Sequence, residues 1–282
     1  MPLLTLEELQ QLTPIFRGRV GGAFARSAMR LFSVDKVNAL YDRNAHLRGP
    51  DFARSVLQDL GIEYEVIPQG KYGEEDSQRL IQHAPFITIS NHPYGHIDGI
   101  ILADYFGHQR ADYKLMVNQI LGRIEPLSPS FITVTPTGKA RTSATTESIM
   151  GVRRAIAHLH SGGPLGLFPS GAVSDFSLRD GGVRDREWQP AIIRLIAKAK
   201  VPILPVRFFD GNSMFYYSLG LIDWRVRLLR LPSEVFNKAH RPIRLGLGPF
   251  ISVEAQQEYL ATHSIDDFGL WLRSKVYVTC TK

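Results

Sequence analysis

Short β-rich runs that alternate with longer helical stretches constrain this chain more than any other feature. The runs are EYEVI (63–67), FITIS (86–90), YKLMV (113–117), FITV (131–134), LGLF (165–168), ILPVRF (203–208) and IRLGLG (243–248), several of them flanked by turn formers. Helical patterns lie between them. The clearest are TTESIMGVRRAIAHLHS, stopped by Gly162 and Gly163, and WQPAIIRLIAKAK, stopped at Val201 and Pro202. Such alternation predicts an α/β fold, a mixed and largely parallel sheet flanked by helices. Residues 1–62 read instead as an N-terminal helical subdomain. Thr5 with Glu8 forms a capping box, Asp35 is placed to cap KVNALYDRN, and PDFARSVLQDLG has Pro50 near its start and Gly61 as its stop. With no repeat, low-complexity tract or flexible linker, the helical part (1–62) and the α/β domain (63–282) are expected to pack as one unit.

The chemistry concentrates where two of these runs end. In ITISNHPYGHIDGI (87–100) a buried-type strand stops at Asn91, the chain turns at Pro93 and Gly95, and a helix is expected to begin near Asp98. Ligands of open α/β sheets sit beyond the carboxyl ends of strands, beside helix N-termini with unpaired N–H groups. An imidazole there can take a proton from a hydroxyl, while a carboxylate on its other nitrogen fixes the tautomer and stabilises the imidazolium. His92 and Asp98 are therefore the candidate catalytic pair. Taken alone, a His and an Asp in one loop are more often a surface imidazole and a cap. In LGLFPSGAVSDF (165–176) a second strand opens into a turn with Pro169, Ser170, Gly171 and Ser174. Glycine there permits close backbone approach, and turn N–H groups can receive an anion or a developing oxyanion.

Together the segments NHPYGHID, FPSG and VPILPV, in that order, resemble the lysophospholipid acyltransferase superfamily, recognised by Asn-His with a following Asp, an F-P-E-G turn and a V-P-I-x-P-V strand. Trp188, PVRFFDGNS, VFNK and the stretch VNALYDRN…FARSVLQDLGIEYEV are similar to its bacterial hemolysin-type and lyso-ornithine-lipid branch. The resemblance covers most of the chain. It implies a lysolipid acceptor, with acyl-CoA or acyl carrier protein as co-substrate and no further cofactor. The implied substrate-binding residues are Asn91, Gly95, Asn118, Lys139, Pro169, Ser170, Gly171 and Ser174. The chain departs from the family pattern at several points. Five residues separate His92 from Asp98, where lysophosphatidate enzymes have four; Ser170 stands for the glutamate of F-P-E-G; Val173 stands for the basic residue after it. Losing two side chains tied to a phosphorylated acceptor points to an N-acylated amino-acid lipid of ornithine or glycine type, with lysophosphatidate as the alternative acceptor. Asn118 stands where the family commonly has lysine, as an oxyanion donor or as a structural side chain.

A formal net charge of +6 suggests an anionic partner. Arginines interleave with aromatic and aliphatic residues in IFRGRVGGAFARSAMRLF (15–32) and LIDWRVRLLRLP (221–232). This pattern suits the headgroup zone of an anionic bilayer, and equally an amphipathic helix turned to the core. No apolar run reaches the roughly 18–20 residues of a membrane span, and neither a secretory signal nor a disulfide framework is visible, with Cys280 the single cysteine. The expectation is a peripheral protein on the cytoplasmic face of the inner membrane. A metal hydrolase built on His92, His96 and Asp98 would need further ligands at later strand ends. A non-catalytic lipid binder is the other class in contention, while nucleic acid is not expected because no recognition element accompanies the basic residues. P-loop, dinucleotide and G-x-S-x-G patterns are absent.

Overall fold

The computed structural model describes residues 33–68, 74–135, 146–178, 181–222, 224–239 and 242–278. The Thr5–Glu8 capping box, the basic segment 15–32, Lys139 and Cys280 lie outside the described residues. In chain order the elements are α1 (Val34–Asn44), α2 (Gly49–Asp59), β1 (Tyr64–Pro68), α3 (Glu74–His83), β2 (Ile87–Ser90), α4 (His96–Gln109), β3 (Lys114–Asn118) and β4 (Phe131–Val134). Next come α5 (Thr146–His160), β5 (Leu165–Leu167), β6 (Asp175–Ser177), β7 (Gly182–Arg184), α6 (Pro190–Ala199), β8 (Ile203–Phe208), α7 (Met214–Ile222), α8 (Trp224–Val235), β9 (Ile243–Leu247), α9 (Val253–Thr262) and α10 (Ile265–Val278). Two 3-10 turns, Gln119–Arg123 and Glu125–Ser130, bridge β3 and β4.

Seven strands form one sheet in the order β1-β9-β8-β2-β5-β3-β4, matching the seven β-rich runs read from the sequence. All neighbours are parallel except β8 and β9. The five strands from β8 to β4 therefore end along one edge, with β2 flanked by β8 and β5. Side chains alternate across the sheet with period two. Leu115 and Val117 enter one apolar cluster and Met116 the other. The first cluster lies under α2 and α4, and joins Phe52, Val56 and Leu57 to Ile101, Phe106 and Phe208. The upstream helices thus share the main core. The second lies under α6 and α10, joining Ile87, Ile89 and Leu165 to Ile196, Phe268 and Leu272.

Local signals explain most element ends. Pro50 sits in the first turn of α2, where its missing N–H costs nothing, and Gly61 adopts a left-handed φ of 62° just beyond it. Asp35 does not cap α1: Ser33 holds the N-cap position, and Asp35 lies inside the first turn, where its charge favours the helix dipole. Arg227, in the segment read as facing either lipid headgroups or the core, is 3% exposed. Its guanidinium pairs with Asp175 and donates to Ser174 O, so it ties α8 to the β6–β7 hairpin. Among the described residues no helix is long and apolar enough to cross a membrane.

Candidate active site

The turn after β2 is held by side chains standing in for backbone. Asn91 Nδ2 donates to Phe208 O and Asn91 Oδ1 accepts from Phe208 N–H, both at 2.8 Å. One amide thereby extends the β2–β8 ladder by a rung, with both its nitrogen and its oxygen engaged. Beyond it the chain must leave the sheet. Gly95 makes this possible with φ 81°, and an added Cβ would meet Val173 Cγ2 at 3.1 Å. Helix α4 starts at His96, two residues before the expected start, so Asp98 is the third residue of the helix.

Asp98 Oδ2 accepts from Tyr94 N–H and Gly95 N–H at 2.9 Å each, a carboxylate reaching back to the orphan donors of its own helix start. The same oxygen lies 2.9 Å from His92 Nδ1. The five-residue spacing therefore still brings imidazole and carboxylate together. Asp98 is wholly buried, and burial raises its carboxyl above the ordinary 3.8 against the opposing pull of His92 and the two amides. Its Oδ1 has no hydrogen-bond partner among the described residues. The His92 ring is partly open to solvent and packs on Phe168, centroids 4.1 Å apart.

The second turn lies beside the first, since β5 is the neighbour of β2. Ser174 N–H donates to His92 O at 2.9 Å, and Ser174 Oγ donates to Asp185 Oδ1 at 2.6 Å. Ser170 Oγ donates to Ala172 O. Both hydroxyls are thus committed. Gly171 has φ 63°, and a Cβ there would fall 1.8 Å from Gln189 Nε2, which donates to Ser170 O. Pro169 O accepts from Gln189 N–H, fixing the turn to the start of α6. Val173 packs with Tyr216 and Leu231, an apolar setting unsuited to the basic residue of the family pattern.

The expected oxyanion donors are largely engaged. Gly95 N–H serves Asp98, and Gly171 N–H donates to Phe168 O. Asn118 ends β3, separated from β2 by β5, and its Oδ1 accepts from Ile120 N–H. With Gln119, Arg123, Thr133 and Thr135 it lines a cavity of about 800 Å³ farther along the same edge. His96 is exposed, unlike Asp98. Among the described residues no group of three or more His, Cys, Asp or Glu is placed to hold a metal ion.

Two supports escaped the sequence reading. Asp185, 4% exposed, accepts from His92 N–H at 3.1 Å, Ser174 Oγ and Trp188 Nε1, joining both turns. Burial raises its carboxyl, against those hydrogen bonds. Its own N–H donates to Tyr277 OH, and its carbonyl accepts from Arg273, so α10 braces the site. Glu234 accepts from Ser213 N–H, Ser213 Oγ, Asn237 Nδ2 and Lys238 Nζ. That cluster welds GNS to VFNK. Asn212 Nδ2 then donates to Pro93 O and Tyr94 O, and Tyr217 OH to Pro93 O, so the weld grips the His92 loop. Its signal was the pair of motifs, whose purpose only the contact reveals.

Comparison with known proteins agrees with this geometry. The chain is similar to the lyso-glycine lipid O-acyltransferase of Bacteroides thetaiotaomicron, 26% identical over 226 residues that cover 78% of this chain and 77% of that one. It is also similar to the protein of the same name from Phocaeicola vulgatus, 24% identical over 222 residues, 76% and 73% of the two chains. The sequence profile of the acyltransferase family matches residues 21–281, nearly the whole length, and this protein belongs to that family.

Proposed function

We propose that the protein transfers a fatty acyl group from a thioester of coenzyme A or acyl carrier protein to the hydroxyl of an N-acylated amino-acid lipid, of glycine or ornithine type. The observation that carries this reading is the His92–Asp98 pair at the end of β2, with the hydroxyls of Ser170 and Ser174 in the adjoining turn already bonded elsewhere. A base beside a turn whose two hydroxyls are already engaged suits a substrate that brings its own hydroxyl. His92 Nε2 takes the proton as the acceptor oxygen attacks the thioester carbonyl. The C–S bond then breaks, and the leaving thiolate recovers the proton from the imidazolium. Asp98 keeps Nδ1 turned away from the substrate and offsets the imidazolium charge. The N–H of Ser170 is the proposed oxyanion donor, because those of Gly95 and Gly171 are engaged. One well-placed donor of this kind contributes roughly 3–4 kcal/mol. The thioester supplies the driving force, so the proposal includes no metal or prosthetic group.

The acceptor class rests on Ser170 and Val173, neither of which offers a charge to a phosphate, and on the lyso-glycine lipid named for both relatives. The proposed location is the cytoplasmic face of the inner membrane, peripherally bound to anionic lipid. A panel pairing one labelled acyl thioester with lyso-glycine lipid, lyso-ornithine lipid and lysophosphatidate at equal concentration tests the acceptor. Transfer to an amino-acid lipid is expected to dominate. A preference for lysophosphatidate would overturn that assignment.

A further inference from the structure

Helix α7 inverts the usual arrangement of a surface helix. Its nine residues, MFYYSLGLI, include no charge. Tyr216 and Tyr217 face inward, 0% and 2% exposed. Met214, Phe215 and Leu221 are 63%, 58% and 58% exposed, and with Ser218 they form one face at i, i+1, i+4 and i+7. Beside α7 runs the β6–β7 hairpin, whose Leu178 is 79% exposed. An apolar face rimmed by polar groups marks an interaction surface rather than an ordinary solvated one.

Position and charge indicate the occupant. Tyr217 OH donates to Pro93 O, one residue from His92, so α7 borders the catalytic turn. The Arg230 guanidinium, partly exposed and 3.7 Å from Glu234 Oε1 on its inner side, lies 5.6 Å from the Phe215 ring centroid, a cation at the edge of the apolar face. Nine residues are far short of a span, but an apolar face with arginine at its edge suits the headgroup boundary of an anionic bilayer. We propose that the outer face of α7, with Leu178 of the adjoining hairpin, is the seat of the protein on an anionic lipid surface and presents the His92 turn to acceptors held there. This rests on the lipid-acceptor reading above.

The test compares the full chain with a Met214→Glu, Leu221→Glu double variant. Sedimentation is measured with phosphatidylcholine vesicles, with and without phosphatidylglycerol. A Phe215→Trp variant reports insertion through quenching by brominated lipid. The wild type is expected to favour the anionic vesicles, and the double variant to lose about tenfold or more in partitioning. Emission from the introduced tryptophan should be quenched, and the double variant should keep transfer to a detergent-dispersed acceptor. Unchanged partitioning of the double variant, or quenching in Phe215→Trp no greater than in the wild type, would overturn the proposal. So would wild-type self-association that the double variant abolishes, which would give the face to a second copy. Partitioning is read without substrate. A wild type that binds vesicles through α7 but transfers to no lysolipid would refute the enzymatic reading, and with it the presentation of acceptors to His92, while the lipid seat on α7 stands.

Discussion

Asp98 and Glu234 are both carboxylates shut away from solvent, 0% and 1% exposed, and each faces a basic side chain, His92 at 2.9 Å or Lys238 at 3.1 Å. Their surroundings differ. Glu234 has donors on both oxygens, and although burial alone would raise its carboxyl, the Ser213 donors and Lys238 hold it below the ordinary 4.5. Asp98 has all its donors on Oδ2, and burial prevails, holding it above 3.8. The comparison separates a carboxylate that secures structure from one kept costly beside the imidazole it serves. A group saturated with hydrogen bonds favours its charged form, while one left short of them does not.

The largest expected effect falls on chemistry alone. His92→Ala should lower acyl transfer by about 10⁴-fold, the upper range for a general base, with an unchanged circular dichroism spectrum. Retention of most activity would remove His92 from the mechanism and end the comparison. Glu234→Ala comes next and falls on stability: removing one partner of a buried pair costs roughly 3–5 kcal/mol, read by urea denaturation. Transfer per folded molecule should change far less than in the His92 variant. If the protein stays as stable as wild type, the Glu234 cluster is not the clamp described.

Asp98→Asn is the smallest of the three, and the most discriminating. Transfer should fall by about 10²-fold, because an amide can still accept from Tyr94 and Gly95 but offsets no imidazolium charge. Its stability should depend on pH with a definite sign. The folded carboxyl is raised above 3.8, so the folded state binds the proton more tightly than the unfolded chain. Stability is therefore withdrawn as the pH rises from 3.8 through the folded value, and the asparagine variant escapes that loss. Melting temperatures of variant and wild type should diverge in favour of the variant as pH climbs through this window. Glu234 has the opposite sign, since its contribution is present above 4.5 and lost as pH falls through its depressed folded value. A parallel pH response of Asp98→Asn and wild type would erase the distinction.

The seven sheet strands were legible because each is a β-rich run, several of them flanked by turn formers, and Asp98 was legible because it follows His92 across a single turn into α4. Other parts were hidden for physical reasons. The strands β6 and β7 have three residues each, and DFS and GVR carry no apolar run like the LGLF that marked the equally short β5. Helix α7 lacks the polar face that a periodicity argument needs. Asp185 stands 93 residues from the His92 N–H it accepts, and nothing in DREWQP announces that reach. Arg227 stayed undecided between lipid and core because a buried arginine paired with Asp175 has the same local sequence as one facing lipid.

The Asn91 amide bears on attempts to move this chemistry elsewhere. By copying a peptide unit it lets β2 finish its pairing one residue past the strand, so the next residue is released at a fixed height above β8. The histidine and carboxylate are therefore not a portable dyad. A graft onto another parallel sheet would have to bring the asparagine as its anchor bolt, and a neighbouring strand with a free N–H and C=O at the matching rung to receive it.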